Sequence, residues 1–535
     1  NGGKNNRWYI SFASATALPV AGPAAFSDVV NPMLAKQTQG LKQSCGNVLI
    51  DFAGSADGRT LIDNLILSNQ PKPVAMPLRF KEGKLKIAQL TDVHWTPGSE
   101  KSEKGNPETI LKVLDMEKPD VVILTGDVVT SKPAKEGWKR IVEMMETAGV
   151  PFAVTMGNHD AENWSEDSIY NYLSKSRLFI GKKGPESLSG TGNYILPVYA
   201  SDGTDKINAL LYCMDSNDYT ADAEKYGNYA WIDWGQIAWY REQSRQFTAN
   251  NNGNPLLALA FFHIGVPEFK HLQNRPDMYG HLGEGGGFPK INSGMFQSMV
   301  EMGDVMGVFV GHDHDNDYIA QEYGIALGYG RVSGHDAYGD LERGARIIEL
   351  FEDGRQFDTW IATPSGKSLA YYYPSAITSD DEAVAPLPAQ SVSPTQQGVS
   401  YIYYEGKFKH TDHFQTRGEK KGEGVMKNFS IADAPAKDHF GYEFKSYIQI
   451  PKTGVYNFYL YSDDGSLLYI DGKVVIDNNG SHSAARKGGK IALEAGFHEV
   501  RLLYFEDYMG EKLKVKISSR WMEEQDIPAQ MLYLP

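Results

Sequence analysis

The sequence predicts an α/β domain followed by an all-β sandwich, and three observations predict it. Short apolar runs alternate with helical patterns across 77–372. A stretch dominated by Ser, Pro, Gln, Thr, Ala and acidic residues covers 375–398. Beyond 399 the pattern changes to strict alternation, as in Leu513, Val515 and Ile517 interleaved with Lys514 and Lys516. Strand–helix alternation builds layered α/β sheets, and period two with frequent turn signals builds a sandwich. The chain therefore divides into a β-rich flank (1–76), an α/β domain (77–374), a linker (375–398) and a sandwich (399–535).

Composition narrows the classes. Of 535 residues, 41% are hydrophobic and 22% charged, a globular balance too long for one ordinary core. The formal net charge is −15, and no basic stripe is present to replace phosphate counterions, which disfavours nucleic acid as partner. No apolar run of roughly 18 residues appears, so no transmembrane helix is expected. Cys45 and Cys213 are the only cysteines, and a disulfide between them is not expected.

Element by element, Asn47–Asn69 alternates around Ala56-Asp57-Gly58 and reads as a hairpin. Strands are expected at Leu85–Thr91, Val121–Thr125, Phe152–Thr155, Ala209–Met214, Leu256–Phe262, Val305–Val310 and Arg346–Phe351. Asn106-Pro107 reads as a helix start, with Asn at the cap and Pro at the first helical position. Trp138, Ile141, Met145 and Ala148 give the next helix its apolar stripe. Asp233 and Gln236 have capping-box spacing. In the sandwich, turns are expected at Pro451–Gly454, Asp463–Gly465, Asp471-Gly472 and Asn479-Gly480.

Five polar clusters follow apolar runs in the α/β domain. They are Asp92-x-His94, Gly126-Asp127, Gly157-Asn158-His159-Asp160, His263 and Gly311-His312-Asp313-His314. Side-chain alternation along a strand is expected to turn Asp92 and His94 the same way. Each cluster alone reads as a polar turn or a satisfied buried histidine. Together, all at strand ends, they supply a full ligand set for two metal ions, with a carboxylate available to bridge them.

This ordered set resembles the calcineurin-like metallophosphoesterase superfamily. Asn292–Phe296, the run Gly311–Asp317 and Tyr329-Gly330-Arg331 are similar to the branch related to small purple acid phosphatases. The resemblance implies an αβ-βα sandwich with two divalent metals (Mn, Zn or Fe). One site would take Asp92, His94, Asp127 and His314, the other Asp127, Asn158, His263 and His312. It also implies His159 as the catalytic imidazole, with Asp160 as its orienting partner. Purple enzymes carry Gly and Tyr where His94 and Thr130 stand here, so no fixed ferric centre is expected. Two divalent ions, less Asp92, Asp127 and one hydroxide, leave one positive charge to attract a phosphate ester. A bridging hydroxide would attack phosphorus while His159 protonates the leaving oxygen.

The loop 265–294 is expected to rim the pocket, with His271 and Tyr279 as substrate contacts and Arg331 as a phosphate contact or an internal ion pair. The C-terminal region resembles the protective-antigen domain family through Phe458–Gly465, Leu468–Gly472, Val475–Asp477 and Ala495–His498. That resemblance implies Asp463 and Asp464 as binders of calcium and sugar, or as turn formers only. It also implies a secreted, periplasmic or cell-surface setting and a possible glycan partner. The expected function is a phosphomonoesterase. The rivals are a phosphodiesterase on the same site and a carbohydrate-binding protein with an idle phosphoesterase domain.

Overall fold

The computed structural model describes residues 75–535 and only single positions before them. The hairpin expected at 47–69 and the flank 1–74 lie outside the described residues.

Among the described residues, thirteen strands build the α/β region: β1 (Lys84–Leu90), β2 (Val121–Thr125), β3 (Phe152–Thr155), β4 (Tyr194–Tyr199), β5 (Ile207–Cys213), β6 (Leu257–Phe261), β7 (Val305–Val310), β8 (Ile319–Glu322), β9 (Ile325–Tyr329), β10 (Ala345–Phe351), β11 (Phe357–Thr363), β12 (Gly366–Tyr373) and β13 (Ile377–Thr378). They form two sheets. One runs β13-β12-β11-β10-β1-β2-β3 and the other β4-β5-β6-β7-β9-β8. β1, β2 and β3 pair in parallel, as do β5, β6 and β7. β2, β3 and β7 are buried along their whole length, which explains their unbroken apolar sequences.

The sheets pack face to face. One core joins Ile87, Val122 and Leu124 of the first sheet to Leu211, Leu259 and Phe309 of the second. That core also holds Val113 of helix α1 (Asn106–Glu117) and Ile141 of helix α2 (Ala134–Ala148). On the far face of the second sheet, Ile237 and Tyr240 of helix α3 (Trp234–Asn250) pack with Met295 and Met299 of helix α4 (Met295–Met302). The layers are thus α/β/β/α, the αβ-βα sandwich that the resemblance implies.

Local chemistry accounts for the boundaries. Asp233 accepts from the Gln236 backbone N–H at 3.0 Å and Gln236 returns the bond at 2.9 Å, a complete capping box. Asn106 differs from expectation. It is the first residue of α1, after Gly105, and its side chain does not cap the helix. Instead its Oδ1 accepts from His335 N–H at 2.8 Å and its Nδ2 reaches the Val93 carbonyl. A residue typed as a cap on sequence grounds therefore buttresses the loop between Asp92 and His94.

The C-terminal sandwich has a seven-stranded and a four-stranded sheet. Phe440–Ile450 runs antiparallel to Gly496–Glu506, and Gly454–Asp463 lies between Ala485–Leu493 and Lys512–Ser519. Tyr456, Phe458, Leu460, Leu502, Tyr504 and Ile517 fill its core.

The segment 375–398 is less of a linker than its composition suggests. Ile377–Thr378 extends the first sheet by pairing with Tyr371 and Tyr372. Thr378 and Asp381 then close a capping box. The sandwich grips this segment: Asn457 Nδ2 donates to the Ser375 carbonyl at 2.8 Å, and Lys490 pairs with Asp381 at 2.6 Å. Arg520 pairs with Asp358 at 2.6 Å, its guanidinium 3.6 Å above the Tyr372 ring. Cys213 is a free, buried thiol. Among the described residues, no helix is long and apolar enough to cross a membrane.

Candidate metal centre

The five polar clusters converge at one edge of the two sheets. Asp92, His94 and His314 form one group of potential ligand atoms, and Asp127, His263 and His312 form a second. The two acids stand between the groups. Asp127 Oδ2 lies 3.2 Å from His263 Nε2 and 3.7 Å from His94 Nε2. Asp92 Oδ1 lies 3.3 Å from His314 Nε2 and 4.0 Å from both His94 Nε2 and His263 Nε2. Asp127 thus faces an imidazole of each group, the position a bridging carboxylate needs.

The convergence is not strand alternation. β1 ends at Leu90, so Asp92 and His94 lie beyond it. Asp92, His94, Asp127 and His312 all hold positive φ, at 51°, 45°, 48° and 79°. Left-handed backbone is costly for non-glycine residues and concentrates where surrounding structure holds a functional geometry. Two motif glycines have a packing reason. A Cβ at Gly126 would sit 2.4 Å from the His263 ring, and one at Gly157 would sit 2.3 Å from Asp127 Oδ1.

Charge state divides the four imidazoles: against burial, Asp127 and Asp92 push His263 up to about 10 and also raise His314, so a cation must displace those two protons. Burial holds the His94 imidazole down to about 4 and that of His312 down to about 3, so both are neutral donors at pH 7. Burial works against ionising Asp92, but the charges of His314 and His263 win and hold it at about 2. Asp127 is held well below the carboxylate range by His263 against the same burial. His263 Nδ1 lies 2.8 Å from the Thr125 carbonyl and donates to it. This leaves Nε2 to face the acids, the usual device by which a ligand imidazole is oriented.

Buried polar atoms in the centre lack hydrogen-bond partners within the protein. His94 Nε2, His263 Nε2, His312 Nδ1 and Asn158 Oδ1 are buried without any hydrogen-bond partner. Buried polar atoms are normally paired, and a cluster of polar atoms without hydrogen-bond partners around two carboxylates suits cations. The residues present fit two divalent ions.

His159 follows Asn158 and is partly exposed, at 37% for its side chain. Its Nδ1 lies 2.8 Å from Glu162 Oε1. Asp160, expected to orient it, does not touch it. That carboxylate is buried and accepts from the backbone N–H groups of Val128, Val129 and Gly157 at 2.9–3.0 Å. Asp160 ties two ligand-bearing loops together, and the partner of His159 is one turn further on.

Three expected substrate contacts each have partners within the fold. Arg331 is buried, paired with Asp317 and donating to the Glu342 carbonyl at 3.0 Å. Tyr279 donates to Asp380 and shares a hydrogen bond with Ser379, both at 2.9 Å. His271 faces Glu322 at 3.5 Å.

The rim combines Glu284 and Gly287 of the expected loop 265–294 with three tyrosines outside it, Tyr219, Tyr229 and Tyr338. Tyr338 stacks on His314, with ring centroids 3.9 Å apart. Tyr229 meets His312 edge-on at 4.5 Å, and Tyr219 stacks on Tyr229. Glu284 accepts from the Tyr338 hydroxyl at 2.9 Å. Gly287 lays its backbone against His312, where a Cβ would sit 2.6 Å from the ring. The glycine run Gly285–Gly287 was the signal available for that approach.

In the sandwich, Asp463, Asp464 and Glu506 form a third group of potential cation ligands. Asp464 also accepts from the backbone N–H groups of His482 and Asp507, at 2.7 and 2.8 Å, and so shapes the surrounding loops.

An α/β/β/α sandwich with paired ligand groups at its edge defines a metal-binding α/β protein carrying an appended β-sandwich. The model of the calcineurin-like phosphoesterase family matches residues 85–316, and that of the PA14 domain matches 395–531. The chain is 30% identical over 324 residues to "Probable inactive purple acid phosphatase 29" of Arabidopsis thaliana, covering 54% of this chain and 83% of that protein. It is also 30% identical to "Phosphatase DCR2" of Saccharomyces cerevisiae, covering 52% and 54% respectively. A crystal structure of a dimetal phosphatase from Danio rerio shares 12% identity with a TM-score of 0.38, covering 53% of this chain and 98% of that one. The chain belongs to the calcineurin-like phosphoesterase family, with purple acid phosphatase-like relatives and a C-terminal PA14 domain.

Proposed function

We propose that this chain is a dinuclear-metal phosphomonoesterase. The observation that carries the reading is the intact donor set. Asp92, His94 and His314 form one ligand group and Asp127, His263 and His312 the other, and His94 Nε2, His263 Nε2, His312 Nδ1 and Asn158 Oδ1 are buried without hydrogen-bond partners. Asp92, His94, Asp127 and His314 would hold one ion, and Asp127, Asn158, His263 and His312 the other. When bound, such ions acidify water to near-neutral pKa and neutralise phosphoryl charge.

The chain's own residues supply the rest. Glu162 fixes the proton of His159 on Nδ1, which leaves Nε2 without a hydrogen-bond partner. Protonated there, His159 gives its proton to the departing alcohol oxygen as the P–O bond breaks. Water adds the fourth oxygen, so the products are the alcohol and inorganic phosphate. Neither the His94 nor the Thr130 position offers a phenolate, which supports Mn, Zn or ferrous iron over a fixed ferric ion. We extend the reading to Asp463, Asp464 and Glu506 as a calcium-holding group in the PA14 domain, with a glycan as its partner and an extracellular setting.

The test compares p-nitrophenyl phosphate with bis-p-nitrophenyl phosphate, using metal-stripped chain reconstituted with Mn, Zn or Fe(II). Faster turnover of the monoester supports the reading. Faster turnover of the diester would make the chain a phosphodiesterase. No turnover of either, with both ions bound, would make the site idle.

A further inference from the structure

Asn158 is almost fully buried, and the two ends of its amide meet different surroundings. Nδ2 donates to the Tyr219 hydroxyl at 2.8 Å, while Oδ1 has no partner. An amide can turn end for end. Turned the other way, it would present an NH₂ group to the cations instead of an oxygen. A cation draws the oxygen end toward itself, and a partner on the other end is needed to hold the amide there.

Tyr219 is placed to do so. Its loop is anchored by Asn217, whose Nδ2 sits 2.9 Å from both the Trp231 carbonyl and Gln236 Oε1. The ring stacks on Tyr229. The hydroxyl also lies 3.5 Å from His159 Nδ1, but that N–H is committed to Glu162 at 2.8 Å. A lone pair of the hydroxyl is therefore available to Asn158. Outer partners of metal ligands orient them in just this manner.

We propose that Tyr219 is a positioning residue that holds Asn158 with its amide oxygen turned to the second cation. The inference rests on the dinuclear reading above. It assigns a role to a residue outside the ligand set, on a different loop from the ligand it serves.

The test is calorimetric titration of Mn²⁺ into the metal-stripped full chain. Wild type, Tyr219→Phe, Asn158→Asp and the double variant are compared. Tyr219→Phe keeps the ring and its stacking. It is expected to weaken one binding event about 10–100-fold, the usual effect of losing an outer partner, and to leave the other unchanged. In the Asn158→Asp background the same change is expected to have little effect, because a carboxylate presents an oxygen either way round. Wild-type affinity for two ions in Tyr219→Phe would overturn the proposal. So would an equal loss in the wild-type and Asn158→Asp backgrounds, since the hydroxyl would then act by another route. Fewer than two ions in the wild type would overturn the dinuclear reading itself, and this inference with it.

Discussion

His159 Nδ1 lies 2.8 Å from Glu162 Oε1, on a short turn just past the candidate metal ligand Asn158. In the proposed mechanism this pair separates proton transfer from metal binding. His159→Ala is expected to lose about 10²–10³-fold on an alkyl phosphate, within the usual range for general acid help. Loss on p-nitrophenyl phosphate should be much smaller, because that leaving group needs no proton. Glu162→Gln should shift both rates in the same direction by less, since the pair is half exposed. Steady-state kinetics on both substrates, with metal content measured alongside, checks this. Equal losses on both substrates would assign His159 to phosphate binding instead.

Cation binding should stabilise the fold. Ions that bind only the native state add about 2.7 kcal/mol per site at 100-fold excess over Kd. A chelator should therefore lower the melting temperature by several degrees and abolish hydrolysis. Asp127→Asn should bind fewer ions and show a smaller thermal response, because Asp127 faces both ligand groups. Calorimetry with elemental analysis reads both effects. Full activity at unchanged metal content in this variant would sink the two-metal reading.

A buried acid away from the ligands should set part of the pH profile of stability. Burial, reinforced by the Glu166 carboxylate, pushes Asp215 up to about 8. Its folded pKa is thus above its unfolded value. The native state binds the proton more tightly, so this contribution is complete below about pH 4 and is lost as pH rises toward 8. Denaturant midpoints should fall across that window in the wild type. Asp215→Asn should flatten the fall, and an unchanged slope would discount the assignment.

Arg331 should matter to stability rather than to substrate affinity. It is buried against Asp317, and removing one partner of such a pair typically costs about 3–5 kcal/mol. Arg331→Ala is expected to unfold at much lower denaturant, while any folded fraction keeps the wild-type KM. A raised KM with unchanged stability would return Arg331 to the phosphate site.

The PA14 domain should hold the catalytic sheet. Arg520→Ala removes a partly exposed ion pair and a cation–π contact, an expected loss of about 1 kcal/mol. A chain ending near Ser375 also loses Ile377–Thr378 from the sheet edge and should be less stable than one ending after Glu382. Equal melting temperatures for the two truncations would show that the segment contributes nothing.

Read alone, the sequence determined what depends on local pattern. β2, β3 and β7 appear in the structure with the bounds expected, because strands buried on both faces must be continuously apolar. The change to period two announced the sandwich, and the recurrence of Asp, Asn and His after apolar runs announced the candidate metal ligands. Strands at and near the ends of the second sheet were harder to see. β4 carries Pro197, and β8 and β9 form a short hairpin around Gly324, so neither leaves a long apolar run.

Only the tertiary structure decided which side chains meet. Asp160 and Glu162 are both acids close to His159, and the resemblance implied Asp160. The backbone turns Asp160 inward to three N–H groups and leaves Glu162 facing the ring. Arg331 has the chemistry of a phosphate contact, yet Asp317 neutralises it inside the fold. Tyr219, Tyr229 and Tyr338 reach the site from loops far from every motif. Residue type and local period specify elements and donor atoms. Partnership depends on distance and direction, which are set when separate loops are packed against one another.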